Sequence, residues 1–150
     1  MVVLPESGKS RIASANGTRK NTICVVDPQA SDYGEAERAA GSRGDRFQII
    51  ATPTDALRLA RSQSVDLWVI HSELPGVSGA ELCGMLRDQG IRAAISLVAD
   101  KYSPETERAA YLHRATTFCC KAGLAELVES WRVAREEKCR GPLKACAKKS

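Results

Sequence analysis

The sequence predicts an α/β domain: a doubly wound five-stranded parallel sheet of order 2-1-3-4-5 with helices on both faces. Three observations carry that expectation. Short apolar runs recur between residues 22 and 120, and each is followed by a stretch of helical spacing. Those runs are continuously apolar rather than alternating, the pattern of strands covered on both faces. The third run passes from Asp66-Leu67-Trp68-Val69-Ile70-His71 into Ser72-Glu73-Leu74-Pro75-Gly76-Val77-Ser78-Gly79, which reads as a strand, a sharp turn and a helix start. Parallel strands need crossover connections of fixed hand, so five such units lead naturally to the 2-1-3-4-5 order.

The elements follow in order. Residues 22–27 form an apolar run that closes on Asp27. Residues 29 to about 43 are weakly helical, with Ala36, Ala39 and Ala40 as small packing positions, and residues 47–50 are the second strand. Thr52-Pro53-Thr54-Asp55 opens a helix: Thr52 caps, Pro53 suits the first helical position and Asp55 can reach back. Residues 66–70 are the third strand. Ser78-Gly79-Ala80-Glu81 is a capping box, and its helix, with Leu82, Met85 and Leu86 on one face, stops near Gly90. Residues 93–98 are the fourth strand. Ser103-Pro104-Glu105 opens a helix to about residue 114, and residues 117–120 are the fifth strand. An amphipathic helix from residue 124 to about 135 presents Leu124, Leu127, Val128 and Trp131 on one side. Trp68 and Trp131 read as packing residues.

Composition suits one soluble domain with tails. The 150 residues are 43% hydrophobic and 27% charged, enough to bury a core without metal or disulfide staples. No run has transmembrane length, and residues 1–20 lack a signal-peptide apolar region, so a cytoplasmic location is the expectation. The net charge of +4 is unevenly spread. Residues 1–20 carry four Lys/Arg and one Glu; residues 135–150 carry six Lys/Arg and two Glu; residues 21–134 carry 12 Lys/Arg against 15 Asp/Glu. The expected organisation is a disordered basic tail (1–20), a folded domain (21–134) and a second basic tail (135–150), with no output module. Such tails suit nucleic acid or anionic membrane, although most basic ends are simply solvated. The cysteines, Cys24, Cys83, Cys119, Cys120, Cys139 and Cys146, contain no C-x-x-C pair, and no zinc-ligand spacing appears. For Cys139 and Cys146, in the tail, the readings are a surface disulfide, a reactive thiol, or two reduced, exposed thiols in a reducing compartment. Gly8-Lys9-Ser10 lacks the earlier glycine and preceding strand of a phosphate-binding loop. Asn16-Gly17-Thr18 is a glycosylation sequon in what reads as a flexible linker.

The stretch from Asp66 to Gly79 resembles the segment of bacterial response-regulator receiver domains that carries the phospho-accepting aspartate. In that family an apolar strand ends in Asp and is followed by Leu or Met, Pro and, shortly after, Gly. The resemblance covers about residues 21–134 and implies a flavodoxin-like fold. It also implies a place in two-component or phosphorelay signalling. Leu74, Pro75, Gly79, Phe118 and Lys121 match the scaffold. The chemical positions depart from it. The family's metal-holding acid pair becomes Asp27 and Pro28; the phosphorylated Asp becomes His71; the strand-4 hydroxyl residue becomes Val98, before Ala99. Lys121 remains, followed by Ala122 where the family has Pro.

Phosphoryl transfer to a carboxylate needs an in-line nucleophile and a divalent cation, and magnesium needs hard oxygen ligands. With those groups lost, the resemblance implies a pseudo-receiver without metal, cofactor or enzymatic activity. It implies phosphorylation-independent protein–protein interaction, as an adaptor or homodimer. Lys121 is expected to pair directly with Asp27. For His71 three readings stand: a residue filling the old pocket, a pH-sensitive partner of Asp27, and an atypical phospho-acceptor. Receivers bind partners through the face made by the fourth helix, fifth strand and fifth helix, which assigns Tyr102, Tyr111, Phe118 and Trp131 to a candidate interaction face. The alternative function is an adaptor acting on nucleic acid or anionic membrane through the basic tails.

Overall fold

Residues 20–140 are described by the structure, a computed structural model, with side chains to residue 137. The Gly8-Lys9-Ser10 and Asn16-Gly17-Thr18 motifs, residues 1–19 and 141–150 of the basic tails, the Cys139 side chain and Cys146 lie outside the described residues.

The strands are β1 (Thr22–Val26), β2 (Arg46–Ile50), β3 (Leu67–His71), β4 (Ala94–Ala99) and β5 (Thr117–Cys120). All neighbouring pairs are parallel, in the order β2-β1-β3-β4-β5. The helices are α1 (Gly34–Ser42), α2 (Pro53–Ser62), α3 (Gly79–Asp88), α4 (Pro104–Leu112) and α5 (Leu124–Arg140). Successive strand side chains point to opposite faces, and the core divides accordingly. Cys24, Trp68, Ile70 and Leu97 face one way, against Ala56 of α2, Leu82 and Leu86 of α3 and Ala110 of α4. Ile23, Val25, Val69 and Val98 face the other, against Ala36 and Ala40 of α1 and Leu124 of α5. Every residue of β3 is buried, which explains its unbroken apolar sequence. Trp68 is packed in the first cluster, its indole N–H without a partner.

Local chemistry sets the helix starts. The Thr52 hydroxyl accepts from Asp55 N at 3.2 Å, with Pro53 at the first position. Asp55 does not reach back; its carboxylate accepts from Arg58 at 3.2 Å. At α3 both halves of the capping box form, each at 3.1 Å, an arrangement worth about 1 kcal/mol. Gly79 is required by close approach: its N–H donates to Ser72 O at 2.9 Å, and a Cβ there would collide with the His71 carbonyl. The α3 start is thereby pressed against the end of β3. Gly90, at φ +92°, follows α3 and turns the chain in the left-handed region that favours glycine.

Several boundaries differ from the sequence expectation. Residues 29–43 do not form one helix; a 3₁₀ turn (Ala30–Tyr33) precedes α1. The Asp27 carboxylate captures Gln29 N and the Tyr33 hydroxyl and holds that turn tight. β3 runs from Leu67 to His71 because Asp66 lies outside it, accepting from Thr22 N at 2.8 Å. β4 ends one residue later, at Ala99, which pairs with Cys120. α5 continues to Arg140 rather than stopping near residue 135. Its second half is fastened to the start of the sheet: Arg132 pairs with buried Asp45, and Arg135 reaches Asp66 at 2.8 Å and Asn21 Oδ1 at 3.0 Å. No helix among the described residues is long and apolar enough to cross a membrane.

Candidate functional site

In a parallel sheet of this order, the C-terminal ends of β1 and β3 open the crevice where ligands bind. Here those ends deliver Asp27 and His71. β4 delivers Asp100, the residue after Ala99, and β5 delivers Lys121. Asp27 is 1% exposed. Its carboxylate accepts from Gln29 N at 2.8 Å and from the Tyr33 hydroxyl at 2.5 Å, and lies 3.2 Å from Lys121 Nζ. The same ammonium meets Asp32 at 2.5 Å and Asp100 at 3.3 Å, and sits 5.4 Å over the Tyr33 ring. Three carboxylates therefore converge on one lysine.

His71 is buried and both ring nitrogens are engaged. Nδ1 lies 3.1 Å from both the N–H and the carbonyl of Glu73; Nε2 lies 3.2 Å from Asp100 Oδ1. In the neutral ring, Nδ1 accepts from Glu73 N–H, which assigns the proton to Nε2 and makes it a donor to Asp100. The electrostatics follow from these contacts. Hydrogen bonds from His71, then Lys121, and the Lys121 charge hold Asp100 below the usual carboxylate range. Burial is the largest single influence on Lys121 and pulls its pKa down, but its hydrogen bonds to Asp32 and Asp27 and the Asp27 charge together outweigh it, leaving the group raised. Burial, and then the Asp27 hydrogen bond, push the Tyr33 phenol up. Tyr33 thus stays a donor.

The sequence-derived site residues fall unequally around this pocket. Asp27 and Lys121 meet directly. His71 lies at the end of β3, but its carboxylate partner is Asp100, not Asp27. Pro28 is exposed and offers no ligand oxygen from its side chain. Val98 is a correction: it is fully buried with Ile23, Val25 and Val69 in the core beneath α1 and α5, and Ala99 ends the strand. Neither residue carries a hydroxyl. Asp32, Tyr33 and Asp100 were missed. Asp100 could have been found as the acid just past the fourth apolar run, whereas Asp32 and Tyr33 enter only because the 3₁₀ turn folds back over Asp27.

The residues do not fit the magnesium ion that receiver domains hold. Both Asp27 oxygens are engaged, and Lys121 occupies the point where the carboxylates converge. No cluster of three or more His, Cys, Asp or Glu suited to a metal occurs among the described residues. The candidate interaction face is also divided. Tyr102, 60% exposed, meets Phe118 edge-on at 6.1 Å between ring centroids, and Tyr111 is exposed on α4. Trp131 instead packs against the opposite core cluster with Leu127 and Val128, under the Arg135 guanidinium at 5.5 Å.

Known structures resemble this arrangement closely in fold. A CheY-like response regulator receiver domain from Methanospirillum hungatei JF-1 superposes with a TM-score of 0.69 at 18% identity, over 80% of this chain and 98% of that one. The signal receiver domain of the response regulator NarL from Mycobacterium tuberculosis gives 0.66 at 18%, over 77% and 98%. A response regulator from Burkholderia pseudomallei, determined with a phosphorylated aspartic acid, calcium ion and citrate, gives 0.67 at 22%, over 82% and 76%. No protein-family model and no curated protein matches the chain. The chain has the receiver-domain fold.

Proposed function

We propose that this protein is a receiver-fold signalling module that works without phosphorylation, by binding another protein in a two-component-type pathway on the cytoplasmic side. One observation carries the reading: the strand-end pocket is satisfied by its own side chains. Lys121 is bound to Asp27, Asp32 and Asp100, and the acceptor position holds His71 with both nitrogens engaged. A phosphoryl group entering there would face three carboxylates and would have to displace Asp100 from the donors it needs. No carboxylate nucleophile stands at the end of β3, and His71 has no free nitrogen lone pair for attack in the neutral tautomer assigned above. The module is accordingly proposed to catalyse no reaction. Incubation with acetyl phosphate and magnesium, followed by intact mass measurement, tests this. The expected spectrum shows no added phosphoryl group. An added group on His71 would establish the atypical acceptor instead.

A contribution from the tails is supported by the segregation of positive charge into residues 1–20 and 135–150. That reading expects salt-sensitive binding to DNA or anionic vesicles, abolished by deleting residues 1–20 and 136–150.

A further inference from the structure

Asp100 is the first residue after β4, and Ser103 is the N-cap of α4. The intervening Asp100, Lys101 and Tyr102 belong to neither element. An aspartate in such a position ordinarily turns wholly to water. This one is 67% exposed but aims one oxygen at the pocket. Its Oδ1 lies 3.2 Å from His71 Nε2 and 3.3 Å from Lys121 Nζ, donors that are themselves only 8% and 17% exposed. One carboxylate oxygen therefore joins the ends of β3, β4 and β5.

Resting on the reading that the pocket is not phosphorylated, we propose that Asp100 is an internal latch. Its carboxylate supplies the anion that His71 and Lys121 bind, and it draws the β4–α4 connection onto the sheet without covalent modification. The latch acts on the aromatic surface two residues along. It fixes Tyr102 in its edge-on contact with Phe118, a position further secured by the Tyr102 hydroxyl donating to Glu107 at 2.7 Å. It also sets Ser103, whose hydroxyl and carbonyl accept from Thr106 N at 3.3 Å and Glu107 N at 3.0 Å. The surface offered by Tyr102 and α4 is thus held in one arrangement by a residue that the sequence itself supplies.

Asp32 provides the control. It binds the same lysine, but it belongs to the turn after β1 and makes no tie to the β4–α4 connection. Hydrogen exchange of the Thr106 and Glu107 amides reads the latch directly, because both are protected through Ser103. Two charge-assisted bonds to a largely exposed carboxylate give an expected acceleration of about fivefold in Asp100→Ala. Asp32→Ala should leave the same amides within about twofold of wild type. Unchanged exchange in Asp100→Ala, or equal acceleration in both variants, would overturn the latch while leaving phosphorylation independence standing. Adding beryllofluoride and magnesium to the wild type separates the two claims. Slower exchange of these amides on its addition would overturn the underlying reading, and an unchanged rate supports it.

Discussion

Replacing Lys121 by Met removes one charge and keeps most of the aliphatic stem, leaving three aspartates facing one another without a cation. The magnitude comes from the burial of each partner. Asp27 is nearly inaccessible, so its bond to Lys121 falls among shielded charged hydrogen bonds, about 2 kcal/mol. Asp32 and Asp100 are 43% and 67% exposed, and solvent screening reduces each to a few tenths of a kcal/mol. The expected loss is about 2–3 kcal/mol, or on the order of 10 °C in Tm for a domain of this size. Urea denaturation followed by Trp fluorescence measures it. A double-mutant cycle apportions it: coupling of Lys121→Met with Asp27→Asn should be several times that with Asp100→Asn. A Lys121→Met loss below about 0.5 kcal/mol would refute the reasoning, because it would mean that desolvation of the buried ammonium cancels its ion pairs.

Further outcomes follow from the same geometry. The stability difference between wild type and Lys121→Met should be flat through neutral pH and shrink at both extremes. Asp100 has a depressed pKa, so its contribution is complete above the ordinary value of 3.8 and is lost as pH falls through the lower folded value. Lys121 is raised, so its contribution is complete below the ordinary 10.5 and is lost as pH rises through the higher folded value. Melting curves from pH 2 to 12 check both limbs. Asp45→Asn removes the buried counter-charge of Arg132 and leaves it only the half-exposed Glu136 at 3.4 Å; it should cost about 3 kcal/mol, whereas Asp45→Leu combined with Arg132→Met should recover most of that in chemical denaturation. Gly79→Ala forces α3 away from the His71 carbonyl and should destabilise by about 2 kcal/mol or more, as read by Tm.

The parts of this molecule legible in the sequence are those set by neighbours along the chain. Thr52-Pro53, Ser78 with Glu81, and Ser103-Pro104 announce their helices because capping is completed within four residues. The unbroken apolar runs announce strands covered on both faces. Partners set by convergence of distant segments were not legible. Nothing local pairs His71 with Asp100 or Lys121 with Asp32, and Arg132 reads as one more solvated base on an amphipathic helix until Asp45 closes over it. The end of β4 was misplaced by one residue for a related reason. In Ala93-Ala94-Ile95-Ser96-Leu97-Val98-Ala99 the strand is covered on both faces, so no alternation marks which side chain emerges at the rim.

The bond from Arg135 to Asn21 has a topological consequence. It places the start of β1 beside the last third of α5, at the pole of the sheet away from Asp27, His71 and Lys121. From Arg135 the helix extends only about 7 Å further to Arg140 at its normal rise. The two ends of the described chain therefore leave from one corner of the molecule. A short linker could close that gap, and a circular permutant reopened in an exposed loop should retain the pocket. Fluorophores attached at residues 20 and 137 would likewise stand clear of the face carrying Asp100 and Tyr102.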